Sequence, residues 1–384
     1  VSPVWARRWD GGEWRGRGGT VGPVTRSHLP ALYGTYVPGL TPNTVGLMSE
    51  PTEQTAITNA TATIPSSTTL IENTRFRSNI SFQQSTTPIV LRNCHIVGNN
   101  PQDVYASRQT ADPDIPGYGL VNFSARRVIL EDCTVDHGWW NDVGLSNRIS
   151  YNGSFGIWGG NVELIRTEIR RFTDSINFAG RPNGANAQTK VIASRLYNNY
   201  FATSTQIGGI THSDNFQVNT GHSIEIAYSY LGGDYTHETG TTATALGFVT
   251  PGANNAVILL QQEPDSGPTE RADPNWYVRD INIHDNWLHG SAATVNLNCV
   301  IPGHFLFNPL EGTATSGVRI IGNRFAVRGG ANESGFQIVK TTSIASYLAD
   351  NVGWVPGGNV YGNGVLLTAA NGGIVTEADE VPTN

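Results

Sequence analysis

The sequence predicts an all-β chain folded as a parallel solenoid, and three observations carry that reading. Charged residues make up only 14% of the 384 residues, with 44 glycines and a single methionine, far from the Ala/Glu/Lys/Leu-rich profile of helical proteins. Short apolar runs alternate with clusters of Gly, Asn, Asp, Ser and Thr, the pattern of many short strands joined by turns. A six-residue unit recurs along most of the chain, and repetition of this kind marks stacked architectures.

The first 50 or so residues stand apart. VWARRWDGGEWRGRGG places three tryptophans in a Gly/Arg-rich context, and SHLPALYGTYVPGLTPNT follows with three prolines and no strand-length alternation. Residues 1–55 are therefore expected to be an attachment or capping region, residues 56–370 the solenoid, and residues 371–384 a C-terminal tail.

The repeat consists of an apolar residue, two variable residues, a small or amide residue, one variable residue and a second apolar residue. It runs as IENTRF (71–76), LRNCHI (91–96), LEDCTV (130–135), LIRTEI (164–169), VIASRL (191–196), IAYSYL (226–231), IHDNWL (283–288) and IIGNRF (320–325), with a weaker ninth copy, LADNVG, at 348–353. Its fourth place holds Thr74, Cys94, Cys133, Thr167, Ser194, Ser229, Asn286, Asn323 and, in the weak copy, Asn351. Such residues can stack at a bend and satisfy backbone groups, forming an internal ladder. Between copies lie further short strands at 119–123, 154–158, 174–178, 214–218, 256–260, 293–297 and 335–338. Units of roughly 20 to 40 residues with two or three strands each bury their apolar faces only by stacking on one another.

Composition also bounds function. A formal net charge of -7 gives no footprint for a nucleic-acid backbone, despite the locally basic N-terminus. Cys94, Cys133 and Cys299 have neither disulfide-framework nor metal spacing and are expected to be small buried residues. No apolar run approaches the roughly 18 residues of a membrane span, so a soluble chain without membrane insertion is expected. Sequons at Asn59, Asn79, Asn122, Asn152 and Asn332 read as compositional.

The repeat spacing, the Asn-bearing turns and the phrases HSDNFQV–IEIAYSYL and INIHDNWLHG resemble the right-handed parallel β-helix family typified by pectate-lyase-like proteins. The likeness covers about residues 56–367 and is nearest to the version found in actinobacterial secreted proteins and in tail proteins of their phages. The opening VWARRWDGGEWRGRGG is similar to the Trp-Asp-Gly openings of actinophage minor tail proteins. The resemblance implies a right-handed parallel β-helix that binds extended glycans along a flat sheet. It implies a virion tail protein of spike or fibre type recognising a bacterial surface polysaccharide. It also implies attachment to other tail proteins through the N-terminal region, and a homotrimer. The alternative it leaves is a secreted polysaccharide lyase or glycoside hydrolase.

The richest polar coil is residues 211–217, with Asp174, Asn177 and Arg181 one coil earlier, because TDSINF and HSDNFQ hold the same place relative to the repeat. In register, Asp174 and Asp214 would lie one inter-strand spacing apart, roughly 5 Å. Two such carboxyls suit glycoside hydrolysis, one protonating the leaving oxygen and the other activating water or attacking. Two readings of the pair stay open, since Asp also bonds backbone amides at turns. Strict alternation moreover puts Asp214 on the inward parity of Phe216 and Val218, and Asn215 and Gln217 outward. HSDNFQ resembles the NTDGID strand of polygalacturonase-type glycosidases, with Asp214 matching its first carboxylate and Gln217 replacing the second. A lyase would cast His212 and Arg181 as base and uronate partner; Ca²⁺ would enter only in that case, without an Asp-rich cluster to hold it, and no other cofactor or metal is expected. The candidate catalytic residues are thus Asp174, His212 and Asp214. The candidate substrate contacts are Asn177, Arg181, Asn215, Gln217, Gln261, Asn296 and Gln337. Gln262, Asn298 and His304 fall nearby, and Trp158, Trp276 and Trp287 are candidates to stack on sugar rings.

Overall fold

The computed structural model describes residues 27–28, 44–49, 51–53, 62–76, 79–97, 118–136, 155–170, 172, 174–178, 188–197, 214–218, 222–232, 256–261, 279–289, 293–299, 318–326, 334–340, 359–361, 365–367 and 374–378. Among them there is no helix, and no segment that would cross a membrane as one. The chain is a right-handed parallel β-helix. Three parallel sheets stack along one axis: sheet 1 has ten strands from Ala62–Ile64 to Ile374–Ala378, sheet 2 eight from Leu70–Glu72 to Val318–Ile321, and sheet 3 ten from Thr52–Glu53 to Val360–Tyr361. The chain visits them in rotation. Asp174–Phe178 lies in sheet 1, Thr189–Ile192 in sheet 2 and Arg195–Tyr197 in sheet 3, after which Asp214–Val218 returns to sheet 1. The sheets extend past the expected solenoid at both ends, because Thr52–Glu53 belongs to sheet 3 and Ile374–Ala378 to sheet 1.

Each of the eight copies from 71–76 to 320–325 is the corner between sheets 2 and 3. Its first apolar residue ends the inward row of sheet 2 and its second fills sheet 3, so Leu91, Ile96, Leu130, Val135, Leu164 and Ile169 are all fully buried in one core. Burying each such side chain contributes about 1.5–3 kcal/mol. The corner itself is a single left-handed residue at the third place: Asn73, Asn93, Asp132, Arg166, Ala193, Tyr228 and Asp285 have φ between 48° and 54°, and Gly322 has φ 66°. Asn and Asp tolerate this conformation, whereas Arg, Ala and Tyr are held in it at a cost of about 1–2 kcal/mol each.

What holds them is the ladder that the fourth place forms. The backbone N–H of Cys94 donates to Cys133 Sγ (3.4 Å), that of Cys133 to Thr167 Oγ1 (3.3 Å), that of Thr167 to Ser194 Oγ (3.1 Å), and that of Ser194 to Ser229 Oγ (3.0 Å). The line continues from Ser229 N–H to Asn286 Oδ1 (2.9 Å), from Asn286 N–H to Asn323 Oδ1 (3.0 Å) and from Asn323 N–H to Asn359 Oδ1 (2.9 Å). Successive rungs are separated by 27 to 39 residues, within the expected unit, except for the 57-residue step from Ser229 to Asn286. The weak copy at 348–353 lies outside the described residues, and the last rung is Asn359. Cys94 and Cys133 are buried rungs with free thiols, and burial pushes the Cys133 thiol well up. Cys299 ends the sheet 1 strand Ala293–Cys299.

At the corner between sheets 1 and 2 the organiser is Arg126, which is fully buried. Its guanidinium donates to the carbonyls of Thr87 (3.1 Å), Pro65 (2.8 Å) and Thr68, joining the first three coils. Burial lowers its pKa.

A strap crosses the outside of sheet 3. Val45 packs on Tyr197 and Tyr230, the N–H of Gly46 donates to Arg166 O (2.9 Å), and the amides of Met48 and Ser49 donate to Asn93 Oδ1 (2.7 and 3.1 Å). Residues 45 to 49 therefore run along the solenoid axis, and Thr52–Glu53 is the first strand of sheet 3. Beneath them Glu168 accepts from Thr134 Oγ1 and Tyr197 OH (3.0 Å each), while Arg170 donates to Asp136 (3.1 Å) and to Tyr197 OH (3.1 Å). Position 46 needs glycine on two counts: its φ is 87°, and a Cβ would sit 3.1 Å from Glu168 Cδ. Gly46→Val is expected to undock the strap at a cost of about 1–2 kcal/mol. Hydrogen exchange checks this: the Met48 and Ser49 amides should lose at least about tenfold protection while the ladder amides keep theirs. Unchanged protection at Met48 and Ser49 would show that docking does not depend on position 46.

Candidate functional site

Sheet 1 offers the polar outer face. Ile176 and Phe178, Phe216 and Val218, Ile258 and Leu260, and Val295 and Leu297 all lie in the core. By alternation, the residues between them point outward. The register aligns Trp158, Asn177, Gln217, Leu259, Asn296 and Gln337 in one row across six strands. Five strand steps span about 24 Å. Four of the expected contact residues, Asn177, Gln217, Asn296 and Gln337, thus share a row. A second row sets Gln261 beside Asn298. Trp158 and Gln217 are half-buried, whereas Asn177, Leu259 and Asn296 are buried.

Beside this row is an aromatic cluster that sequence reading found only in part. Trp158 meets Phe123 edge-on at 4.6 Å between centroids and contacts Phe155 at 6.1 Å. All three rings are half-buried. The available signal was the i, i+3 spacing of Phe155 and Trp158, which strict alternation would place on opposite faces. That the two rings touch shows that the first residue of the strand departs from alternation.

Asp174, in register with Phe155, behaves the same way. Its Oδ2 accepts from Asn177 Nδ2 (3.2 Å), and the same amide donates to Gln217 Oε1 (2.7 Å). The carboxyl therefore shares a side of the sheet with outward residues, as a turn just before the strand requires. Asp174 Oδ1 accepts the backbone N–H of Asp214 (3.0 Å), and Asp214 Oδ1 accepts that of Ala256 (2.8 Å). The two aspartates stand one coil apart, each committing one oxygen to the coil above. Asn215, expected outward, is buried and donates to the carbonyls of Leu196 (3.1 Å) and Gly232 (3.2 Å), tying sheet 1 to sheet 3. His212, Arg181, Gln262, Trp276 and His304 lie outside the described residues. Trp287 belongs to another face: it pairs with Tyr230 in sheet 3 and stacks under the guanidinium of Arg324 at 5.6 Å. Asn79 and Asn122, two of the sequon asparagines, are buried.

Burial raises the Asp174 carboxyl from 3.8 to about 7, against the hydrogen bonds from Asp214 N–H and Asn177. Between those values the folded state keeps a proton that the unfolded state has released. Stability therefore falls as pH rises from about 4 to about 7 and is flat above. Asp174→Asn should remove this loss, since Asn177 can turn its amide to present Oδ1 to the new donor. The variant should melt several degrees higher than wild type at pH 8, and the gap should close at pH 4. Melting curves across that range check it; a gap constant with pH would remove Asp174 as its source.

Comparisons with protein-family models, with curated proteins and with solved structures find no match to this chain, so its function is argued from its own residues.

Proposed function

We propose that this chain is a bacteriophage tail protein of spike or fibre type that binds a bacterial surface polysaccharide along the outer face of sheet 1. The observation that carries the reading is the juxtaposition of the Phe123–Phe155–Trp158 cluster with the amide row of Asn177 and Gln217 in one register. Aromatic faces stack on the apolar faces of sugar rings and amides bond hydroxyls, while successive coils can meet successive sugars of a chain. The virion setting is supported by the pectate-lyase-like resemblance of the repeats and by the Trp-Asp-Gly likeness of the N-terminus. In this reading the N-terminal region joins other tail proteins and the chain works as a homotrimer.

A second reading, a secreted lyase or hydrolase, is favoured by the in-register pair Asp174 and Asp214 and by a carboxyl that titrates near neutrality, as a general acid must. Against it, both carboxyls are engaged by backbone amides.

Incubation with a panel of neutral and uronate-containing bacterial glycans separates the readings. Binding without new reducing ends or unsaturated products is expected, and Trp158→Ala should weaken it by at least about tenfold, the loss of roughly 1.4 kcal/mol of stacking. A monomer by light scattering that cleaves glycan would sink the tail-protein reading.

A further inference from the structure

Resting on the polysaccharide-binding reading, we infer that the outer face of sheet 1 selects an uncharged, hydroxyl-bearing stretch of glycan over a uronate. The selectivity lies in which atoms of the row lack partners. Asn177 Nδ2 is doubly engaged, by Asp174 Oδ2 and Gln217 Oε1. Its Oδ1 is left as a buried acceptor that receives no hydrogen bond. Three strands along the same row, Asn296 Oδ1 is in the same position. A buried acceptor without a donor costs about 1–3 kcal/mol, and that cost is relieved only by a group that donates. A sugar hydroxyl donates; a carboxylate, ionised, only accepts.

The surroundings point the same way. Asn177 lies between Trp158 and Gln217, the half-buried members of the row, so a ring stacked on Trp158 brings its hydroxyls to the Asn177 oxygen. Once ionised, the Asp174 carboxyl adds a negative charge at that point. Among the described residues, the row and its neighbour beginning Gln261–Asn298 hold no Lys or Arg. Of the described cations in these coils, Lys190 pairs with Glu225 on sheet 2, and Lys340, at the end of its sheet 1 strand, is in register with Cys299 and so falls in neither row. A uronate arriving at these rows would meet the unsatisfied oxygens of Asn177 and Asn296 and no cation, and the neutral amide N–H groups beside them would replace its hydration only in part.

The test uses uronate-containing capsular and cell-wall polysaccharides, each in native form and after chemical reduction of its carboxyls to primary alcohols. Linkage and ring are then the same and only the charge differs. The full chain should bind the reduced form at least about tenfold more tightly, Trp158→Ala should weaken that binding, and Gln217→Lys, which sets a cation into the row, should narrow or reverse the preference. Native polymers bound as tightly as reduced ones, with binding still lost in Trp158→Ala, would overturn the selectivity and leave the polysaccharide-binding reading standing. Binding that ignores both substitutions would place the glycan surface elsewhere, and binding to no polymer in either form would bring down the reading beneath it.

Discussion

Asn323→Ala is expected to destabilise the solenoid by about 3–5 kcal/mol, because it unmakes the ladder from both sides at once. The Asn323 carboxamide oxygen accepts from Asn286 N–H and Asn286 Nδ2, each at 3.0 Å. Its Nδ2 donates to Ile283 O (2.9 Å) and to Asn359 Oδ1 (3.0 Å). Alanine removes the acceptor of the Asn286 N–H and the side-chain donor to Ile283 O, while Asn286 Nδ2 keeps Ile226 O and Asn359 Oδ1 keeps the backbone N–H of residue 323, and no water reaches a rung of zero exposure. Asn323→Ser should cost less, because a hydroxyl keeps one acceptor, as Ser194 and Ser229 do on the N-terminal side. Since each coil touches only its neighbours, the damage should be local. Hydrogen exchange should show protection lost first in Arg279–His284 and Val318–Ile321, while Ile89–Arg92 stays protected. Uniform loss along the chain would mean that the solenoid melts as one unit rather than coil by coil.

Arg126→Ala should cost about 3 kcal/mol or more, and at the opposite end. A buried guanidinium with three carbonyl partners makes charge-assisted bonds of about 1.5–3 kcal/mol each, offset in part by its desolvation. Removing it takes the guanidinium donor from the carbonyls of Thr68 and Thr87, leaves Pro65 O with the Thr68 N–H, and opens a void at the corner of the first three coils. Arg126→Lys should recover only part, since one ammonium cannot span the fork that meets all three. Limited proteolysis and exchange should show Leu70–Glu72 and Ile89–Arg92 fraying while Asn286 and Asn323 keep their protection. If Arg126→Ala melts like wild type, the three carbonyls have found other donors.

The scaffold was legible because its signals repeat. Seven of the nine repeat copies named the rungs from Cys94 to Asn323 by pattern alone, since each is bracketed by apolar residues that the core requires. The last rung escaped because Asn359 follows Pro356-Gly-Gly, where the first place is not a core-filling residue. The left-handed corner was half visible: Asn73, Asn93, Asp132, Asp285 and Gly322 suit it, whereas Arg166, Ala193 and Tyr228 conceal it under tertiary override. The position of Trp287 was readable, as the fifth place of its repeat always faces out of sheet 3. The site was harder because alternation was applied to whole strands, and Phe155 and Asp174 break it at the first residue. The strap left no periodic trace at all, as its fit depends on one glycine meeting one glutamate 122 residues later.

The strap also decides where a pull on the N-terminus is felt. Chain arriving at Thr44 meets the solenoid midway up its flank, at the level of Tyr197 and Tyr230, and only then descends to the first coil. Tension from that side would detach Val45, Gly46 and the Met48–Ser49 pair in turn, like a seam opening stitch by stitch. The short strands of the first coil would feel it only after the last stitch had gone.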